Sequence, residues 1–320
     1  MNWPRIAVVG SYATGLTMRV SRIPCAGETL LGSGYRVDFG GKGSNQAVAC
    51  ARLGAQVNFV AKIGNDSFAE KAIGLYRDER IDTTHIIQTD EAPTGVGFIV
   101  VEEVSGQNSI VLDPGANELL RAADVESAAA AIDGARVVLT QLEIPVAAAE
   151  SALVRGRAAS AITILNPAPV RLLPPSILHA VDILTPNETE AKVLVGLEPG
   201  EEIAPQKLGE LLIAKGTKSV VLTLGENGAL LVRADSCRHF PAIKVSPVDT
   251  TGAGDAFNAG LATALAYGAS MEDAVGFAVV IGGLAVMRAG VIPSLPRGGE
   301  VLEFYRSLCL AAPAWLTSTA

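Results

Sequence analysis

The sequence predicts an α/β fold: a central, mostly parallel sheet with helices on both faces, and a small β-sheet beside it as a lid. Short apolar runs bounded by turn residues recur at 6–9, 57–61, 137–140, 162–165, 183–185 and 220–224, and each reads as a buried strand. Helical patterns lie between them at 43–53, 68–78, 146–157, 188–195 and 205–215. Strands alternating with helices imply a parallel sheet covered on both sides. The rhythm breaks twice, where 16–20 with 34–39 and 95–102 with 109–112 read as antiparallel strand pairs without helices between them. Together these pairs would make one small sheet, a natural lid or dimer contact. The expected division is an α/β domain over 1–12, 40–93 and 113–310, a discontinuous lid over 13–39 and 94–112, and a frayed tail over 311–320.

Composition supports a large apolar core and narrows the partners. Of 320 residues, 49% are hydrophobic, 18% charged and only 5% aromatic, as expected of an interior of Val, Ile, Leu and Ala. The net charge of −8 and the lack of any Lys/Arg run argue against nucleic acid, which requires clustered positive charge. Cys25, Cys50, Cys237 and Cys309 form no CxxC pair, which points to reduced thiols and a cytoplasmic protein rather than disulfides or zinc. No secretory signal is visible before residue 5 and no apolar run reaches membrane-spanning length, so neither export nor a membrane is expected. His85, His179 and His239 stand far apart and read as structural or surface residues.

Taken along the chain, the first chemical cluster is Gly40-Gly41-Lys42-Gly43-Ser44-Asn45-Gln46. It follows a strand pattern and opens a helix, so backbone can approach a ligand closely while Lys42 and Asn45 offer donors. It is not a Walker A loop, because Arg36 and Gly43 occupy positions where that motif needs Gly and Ser/Thr. Polar residues then mark strand ends: Gln141 and Glu143, Asn166, Thr185, Asn187 and Glu190, and the turn from Thr223 through Gly225 to Gly228. Ligands of open α/β sheets bind outside the carboxyl ends of strands. Asn187 and Glu190 equally satisfy the spacing of a helix capping box.

The most informative run is Asp249-Thr250-Thr251-Gly252-Ala253-Gly254-Asp255, leading into Ala256-Phe257-Asn258. It reads as a strand end, a glycine turn and the first turn of a helix. Small residues let backbone N–H groups converge where the helix start adds positive charge, a site for an anion such as phosphate. A carboxylate beside an anion hole is suited to take a proton from a hydroxyl while the hole stabilises the group in transfer. The plainer alternative is a capped helix with an acidic first turn. The dinucleotide fingerprint fails here because Phe257 fills its last glycine position, which removes the support for a nicotinamide dehydrogenase.

Gly40 to Ala47, Asn166-Pro167-Ala168-Pro169, Thr185 to Glu190 and Asp249 to Asp255 together resemble the ribokinase family of carbohydrate kinases (phosphofructokinase B type), in order from about residue 5 to about residue 308. The resemblance implies ATP-dependent phosphorylation of a sugar primary hydroxyl, with D-ribose the foremost substrate. Another pentose, a deoxypentose, a polyol or a nucleoside is the alternative, and a sensor that binds without turnover the rival class. It implies Asp255 as general base and Gly252, Ala253 and Gly254 as the anion hole, with Gly41, Lys42, Gly43, Ser44, Asn45 and Glu143 on the sugar. It places Asn187, Glu190, Thr223, Gly225, Gly228 and Gly254 at ATP and Mg2+. An activating K+ site maps to Asp249, Thr251, Ala285, Arg288, Gly290 and Ser294, and the lid implies a homodimer clasp.

The chain also departs from that pattern. Ribokinases usually begin Gly-Ser-x-Asn-x-Asp, and Ala13 and Gly15 stand where the sugar-binding Asn and Asp are expected. A charge-assisted hydrogen bond is worth about 1.5–3 kcal/mol, or roughly ten- to a hundred-fold in affinity. Either ribose binds weakly, another polyol is used, or Asp38 or Asp113 supplies the acceptor. Val279 replaces a polar or stacking residue often found near adenine, which predicts a more apolar nucleotide contact.

Overall fold

The computed structural model describes residues 3–317. Its strands are β1 (Arg5–Val9), β2 (Ala13–Val20), β3 (Ser33–Gly40), β4 (Gln56–Gly64), β5 (Ile86–Thr89), β6 (Gly95–Glu102), β7 (Asn108–Asp113), β8 (Val137–Thr140), β9 (Ile162–Leu165), β10 (Ile183–Leu184), β11 (Ser219–Thr223), β12 (Ala229–Arg233) and β13 (Cys237–Phe240). Nine of them form the main sheet in the order β13-β12-β11-β10-β9-β8-β1-β4-β5. From β11 to β5 every pairing is parallel, and β12 and β13 extend the sheet antiparallel.

Period-two alternation sorts the core into two layers. In β1, Ile6 and Val8 join the cluster containing Phe59, Val137 and Leu139, whereas Ala7 and Val9 join Val60, Val138 and Leu153 on the opposite face. The first layer is built on the helix Ala253–Ala266, whose residues from Asp255 onward are all buried. Helix Lys42–Arg52 and helix Met271–Ala285 pack against it. An unbroken run such as Leu261-Ala262-Thr263-Ala264-Leu265 suits a helix covered on every side. Gly260 permits the close approach, since a Cβ there would lie 3.0 Å from Ile281 Cγ1.

β5, β12 and β13 extend the sheet beyond the expected apolar runs. β13 reads Cys-Arg-His-Phe with only Phe240 buried, so an exposed edge strand carries no apolar alternation to reveal it. The four lid strands form one separate sheet in the order β3-β2-β6-β7. Its two antiparallel hairpin pairs, β2/β3 and β6/β7, are joined by a parallel β2/β6 pairing. β2 begins at Ala13 rather than 16, because only residues 10–12 separate it from β1.

Residues 314–317 correct the expected fraying of 311–320 for that part of the tail. Helix Ala314–Thr317 buries Leu316 completely, and Trp315 stacks on Tyr267 at 4.6 Å and meets Phe277 edge-on at 4.9 Å. Aromatic pairs of this kind contribute about 0.5–1.5 kcal/mol beyond their area burial, which favours an ordered segment here. Residues 318–320 lie outside the described residues. The cysteines are free, and among the described residues no helix is long and apolar enough to cross a membrane.

Candidate active site

The loops at the carboxyl ends of β1, β8, β9, β10 and β11 carry Ser11, Glu143, Asn166, Thr185 and the 223–228 turn, and the two glycine clusters close over them. Gly41 has φ +86°, and a Cβ on it would lie 2.7 Å from Ala13 N; one on Gly43 would lie 2.4 Å from Ser11 N. Only glycine lets the start of helix Lys42–Arg52 press against residues 10–13 this closely. The contact delivers Lys42 N to Glu143 Oε2 at 2.8 Å, and Ser11 Oγ donates to the same oxygen at 2.6 Å. Glu143 Oε1 has no protein donor among the described residues, which leaves it to accept from a ligand hydroxyl.

Asp255, 5% exposed, stands in the first turn of helix Ala253–Ala266 behind Gly252 at φ +81°. Asn45 Nδ2 donates to its Oδ2 at 2.8 Å and Gln46 Nε2 to its Oδ1 at 2.9 Å. Two clusters some 210 residues apart therefore meet on one carboxylate, whose burial would be costly without those donors. Lys42 is held above the usual lysine range, foremost by the charge of Asp255 and also by Glu143 and Glu190, against its burial. One ammonium among three carboxylates is an environment prepared for polar ligands and cations. The N–H of Ala253 is taken by Thr250 O at 3.2 Å. A Cβ at Gly254 would meet nothing within 4 Å, so the helix start faces open space, as an anion hole requires.

Asn187 and Glu190 form the capping box: Glu190 N donates to Asn187 Oδ1 at 2.8 Å and Asn187 N to Glu190 Oε2 at 2.9 Å. Burial raises the Glu190 carboxyl above its usual range, and Lys42 and Asp255 both act on it electrostatically. Asn187 bridges in parallel to Thr223, beside the turn in which Gly225 and Gly228 take φ +56° and +89°. Asp249 ties two loops, accepting from Thr251 N and Gly290 N at 2.9 Å each. Burial works to raise the Asp249 carboxyl, and the Gly290 and Thr251 donors overcome it, holding it below its usual value. Ser294 N donates to Gly290 O at 3.3 Å, and Val286 O, next to Ala285, accepts from Asp249 N at 3.2 Å. Arg288 instead pairs with Glu300 at 2.6 Å.

Compared with known proteins, residues 4–297 match the family described as pfkB family carbohydrate kinase. The chain belongs to the pfkB family of carbohydrate kinases. It is similar to the ribokinase of Haemophilus influenzae, with 39% identity over 299 residues covering 93% of this chain and 97% of the relative. The solved ribokinase of Thermotoga maritima is 35% identical with a TM-score of 0.86, covering 95% of this chain and all of that one (100%). Ribokinase of Arabidopsis thaliana, solved in complex with ribose and ATP, is 30% identical with a TM-score of 0.85, covering 95% and 98% of the two chains.

In this carbohydrate kinase, the lid register separates the two carboxylates weighed as substitutes near Ala13 and Gly15. Asp38 is the direct cross-strand partner of Gly15, and a Cβ on Gly15 would lie 3.8 Å from Asp38 Cβ. Asp38 is loosely engaged, with Arg36 Nε and Thr17 Oγ1 each 3.5 Å away. Asp113 pairs with Val96, in the row of Thr14 and so on the opposite face, and accepts from Gly115 N at 3.0 Å. Gly15 carries no positive φ, so its backbone demands no glycine.

Ser44 is placed differently from its expected sugar-side role: its hydroxyl is fully buried and acts on the buried Tyr76 hydroxyl in the interior. Val279 is 8% exposed on helix Met271–Ala285. Sequence reasoning missed Ser11, Gln46 and Asn258 as members of the site. Asn258 had a readable signal, as the lone amide in a helix of mostly small and apolar residues.

Proposed function

We propose that this pfkB-family protein transfers the γ-phosphoryl group of ATP to the primary hydroxyl of D-ribose, giving D-ribose 5-phosphate and ADP. The observation that carries the reading is Asp255: a buried carboxylate, clamped by two amides, at the mouth of an open helix start. In that arrangement the sugar hydroxyl hydrogen-bonds to Asp255, which accepts its proton as the new O–P bond forms. Glu143 Oε1 and Lys42 hold other sugar hydroxyls, and the N–H groups of Gly252 and Gly254 receive the charge on the phosphoryl oxygens, whereas that of Ala253, also expected in the anion hole, is engaged by Thr250 O. The ribokinase identity of the relatives supports the substrate. A coupled ADP-release assay over pentoses, deoxypentoses, hexoses, alditols and nucleosides tests it. ADP release that no sugar accelerates would overturn it.

Ala13 and Gly15 favour a second reading, a pentose other than ribose, unless a substitute acceptor exists. Asp38 is that substitute, sharing its face with Gly15. Asp38→Ala is expected to raise the KM for ribose about ten-fold or more, given ~1.5–3 kcal/mol per charge-assisted bond, while Asp113→Ala leaves it near wild type. Equal KM values for the two variants would contradict the assignment and favour the other pentose.

The donor set fits both cations of the family. Mg2+ binds through phosphate oxygens and one or two carboxylates, and Glu190 with Asn187 would hold it, where it offsets phosphate charge. K+ takes hard oxygen donors, which Asp249 and the carbonyls around Thr251, Ala285, Gly290 and Ser294 offer, with the Arg288 guanidinium drawn off to Glu300. Asp249 joins both loops beside Gly252, so a cation there would fix the anion-hole turn. Activity is expected to rise with K+ and fall when Li+ replaces it; a rate indifferent to the monovalent ion after dialysis contradicts this.

The lid supports a homodimer. Tyr35, Phe98, Ile110 and Val111 are 60, 54, 59 and 70% exposed on it, and its outer strands β3 and β7 present unpaired edges. Light scattering at micromolar concentration is expected to give twice 33.0 kDa, and a monomeric mass would contradict it.

A further inference from the structure

We propose that Gln46, Asn166, Thr185 and Asn258 are positioning residues, forming one buried network that fixes Asp255 relative to the anion-hole turn. The inference rests on the kinase reading above and adds residues to it. The path starts at Asp255 Oδ1, which accepts from Gln46 Nε2 at 2.9 Å. The same nitrogen donates to Asn166 Oδ1 at 3.2 Å, and Asn166 Nδ2 donates to Thr185 O at 3.2 Å. Thr185 Oγ1 donates to Asn258 Oδ1 at 2.6 Å, and Asn258 Nδ2 donates to Gly254 O at 2.8 Å. Gly254 precedes Asp255, so the path closes into a ring. Gln141 Nε2 donates to Gln46 Oε1 and holds the hub from below.

The ring joins four separately placed elements: helix Lys42–Arg52, the ends of β9 and β10, and helix Ala253–Ala266. All four residues are buried, from 0% exposure for Gln46 to 6% for Asn166. An apolar interior filled with Leu or Met would hold these elements together as well, so packing alone does not call for amides here. What the amides add is direction. The ring terminates on a base oxygen and on the carbonyl of an anion-hole residue, the two groups whose separation phosphoryl transfer depends on. With Asn45 on Oδ2 as well, both oxygens of the carboxylate are held. The donor hydrogens of Gln46 and Thr185 are consumed inside the ring, which leaves none to bind sugar or nucleotide. Their loss therefore acts on turnover and not on affinity.

The test uses full-length protein, ATP and the sugar that wild type turns over fastest. Gln46→Met is expected to lower kcat about ten- to a hundred-fold, the scale of a small misplacement of reacting groups, with both KM values within about three-fold. The isosteric Thr185→Val is expected to lower kcat in the same direction, and Thr185→Ser, which keeps the hydroxyl, to restore it. This pair decides the matter even where Gln46→Met fails to fold. Unchanged kcat in a folded Gln46→Met, KM values that rise in step with the loss, or Thr185→Ser as damaged as Thr185→Val would each overturn the inference. Wild-type protein inactive on every sugar would overturn the kinase reading together with it.

Discussion

Asp255→Asn is expected to bind sugar and ATP with KM values near wild type and to lose about 10²–10⁴ in kcat, the range of a positioned general base. The amide has the same size, so the buried site, 5% exposed, is not emptied. It cannot accept the proton of the hydroxyl, and one of the two donors on the carboxylate, Asn45 or Gln46, now faces an NH2 group. Lys42 loses its largest electrostatic partner but keeps Glu143 and Glu190, so it stays charged and available to the sugar. Single-turnover kinetics separate the lost chemical step from binding. A folded variant that retains more than about a third of wild-type kcat would exclude Asp255 as the base, because such a loss is far below what general-base removal costs.

Gly254→Ala carries the second large effect, and its direction on stability is opposite to its direction on activity. The added methyl meets no protein atom within 4 Å, and alanine is preferred over glycine inside a helix by about 0.8–1.0 kcal/mol. The melting temperature should hold or rise. The space it fills is the one left for the phosphoryl group, so kcat/KM for ATP is expected to fall by about 10² or more, as when an oxyanion-hole donor is lost. Gly252→Ala does not make this separation: its φ of +81° and a contact of 2.6 Å to Val291 Cγ1 would strain the fold itself. An unchanged kcat/KM in Gly254→Ala would place the phosphate elsewhere.

Much of the architecture was legible because buried parallel strands declare themselves as apolar runs. β1, β8, β9 and β11 lie within a residue of where the apolar runs put them. β13 was not legible, since an edge strand that buries only Phe240 leaves no pattern. The tail misled because its Ala, Pro and Thr content looks uncommitted, while Trp315 finds Tyr267 only in three dimensions. At the site, the glycine clusters were visible because close backbone approach demands glycine, as Gly41 and Gly43 show. The ring through Gln46, Asn166, Thr185 and Asn258 was not, because its members come from four elements that only the fold brings together. Ser44 shows the converse limit: adjacency to Lys42 and Asn45 suggested a ligand contact, and helical phase turned it inward.

The most direct test of the central claim is to follow the phosphoryl group itself. Protein incubated with ATP, Mg2+, K+ and D-ribose is monitored by phosphorus NMR, with a sugar-free control. ADP and a sugar monophosphate are expected in equal amounts, with the new phosphorus coupled to the two protons of the primary carbon. ATP consumed no faster with sugar than without it, or phosphate appearing on a secondary hydroxyl or as free phosphate, would contradict it.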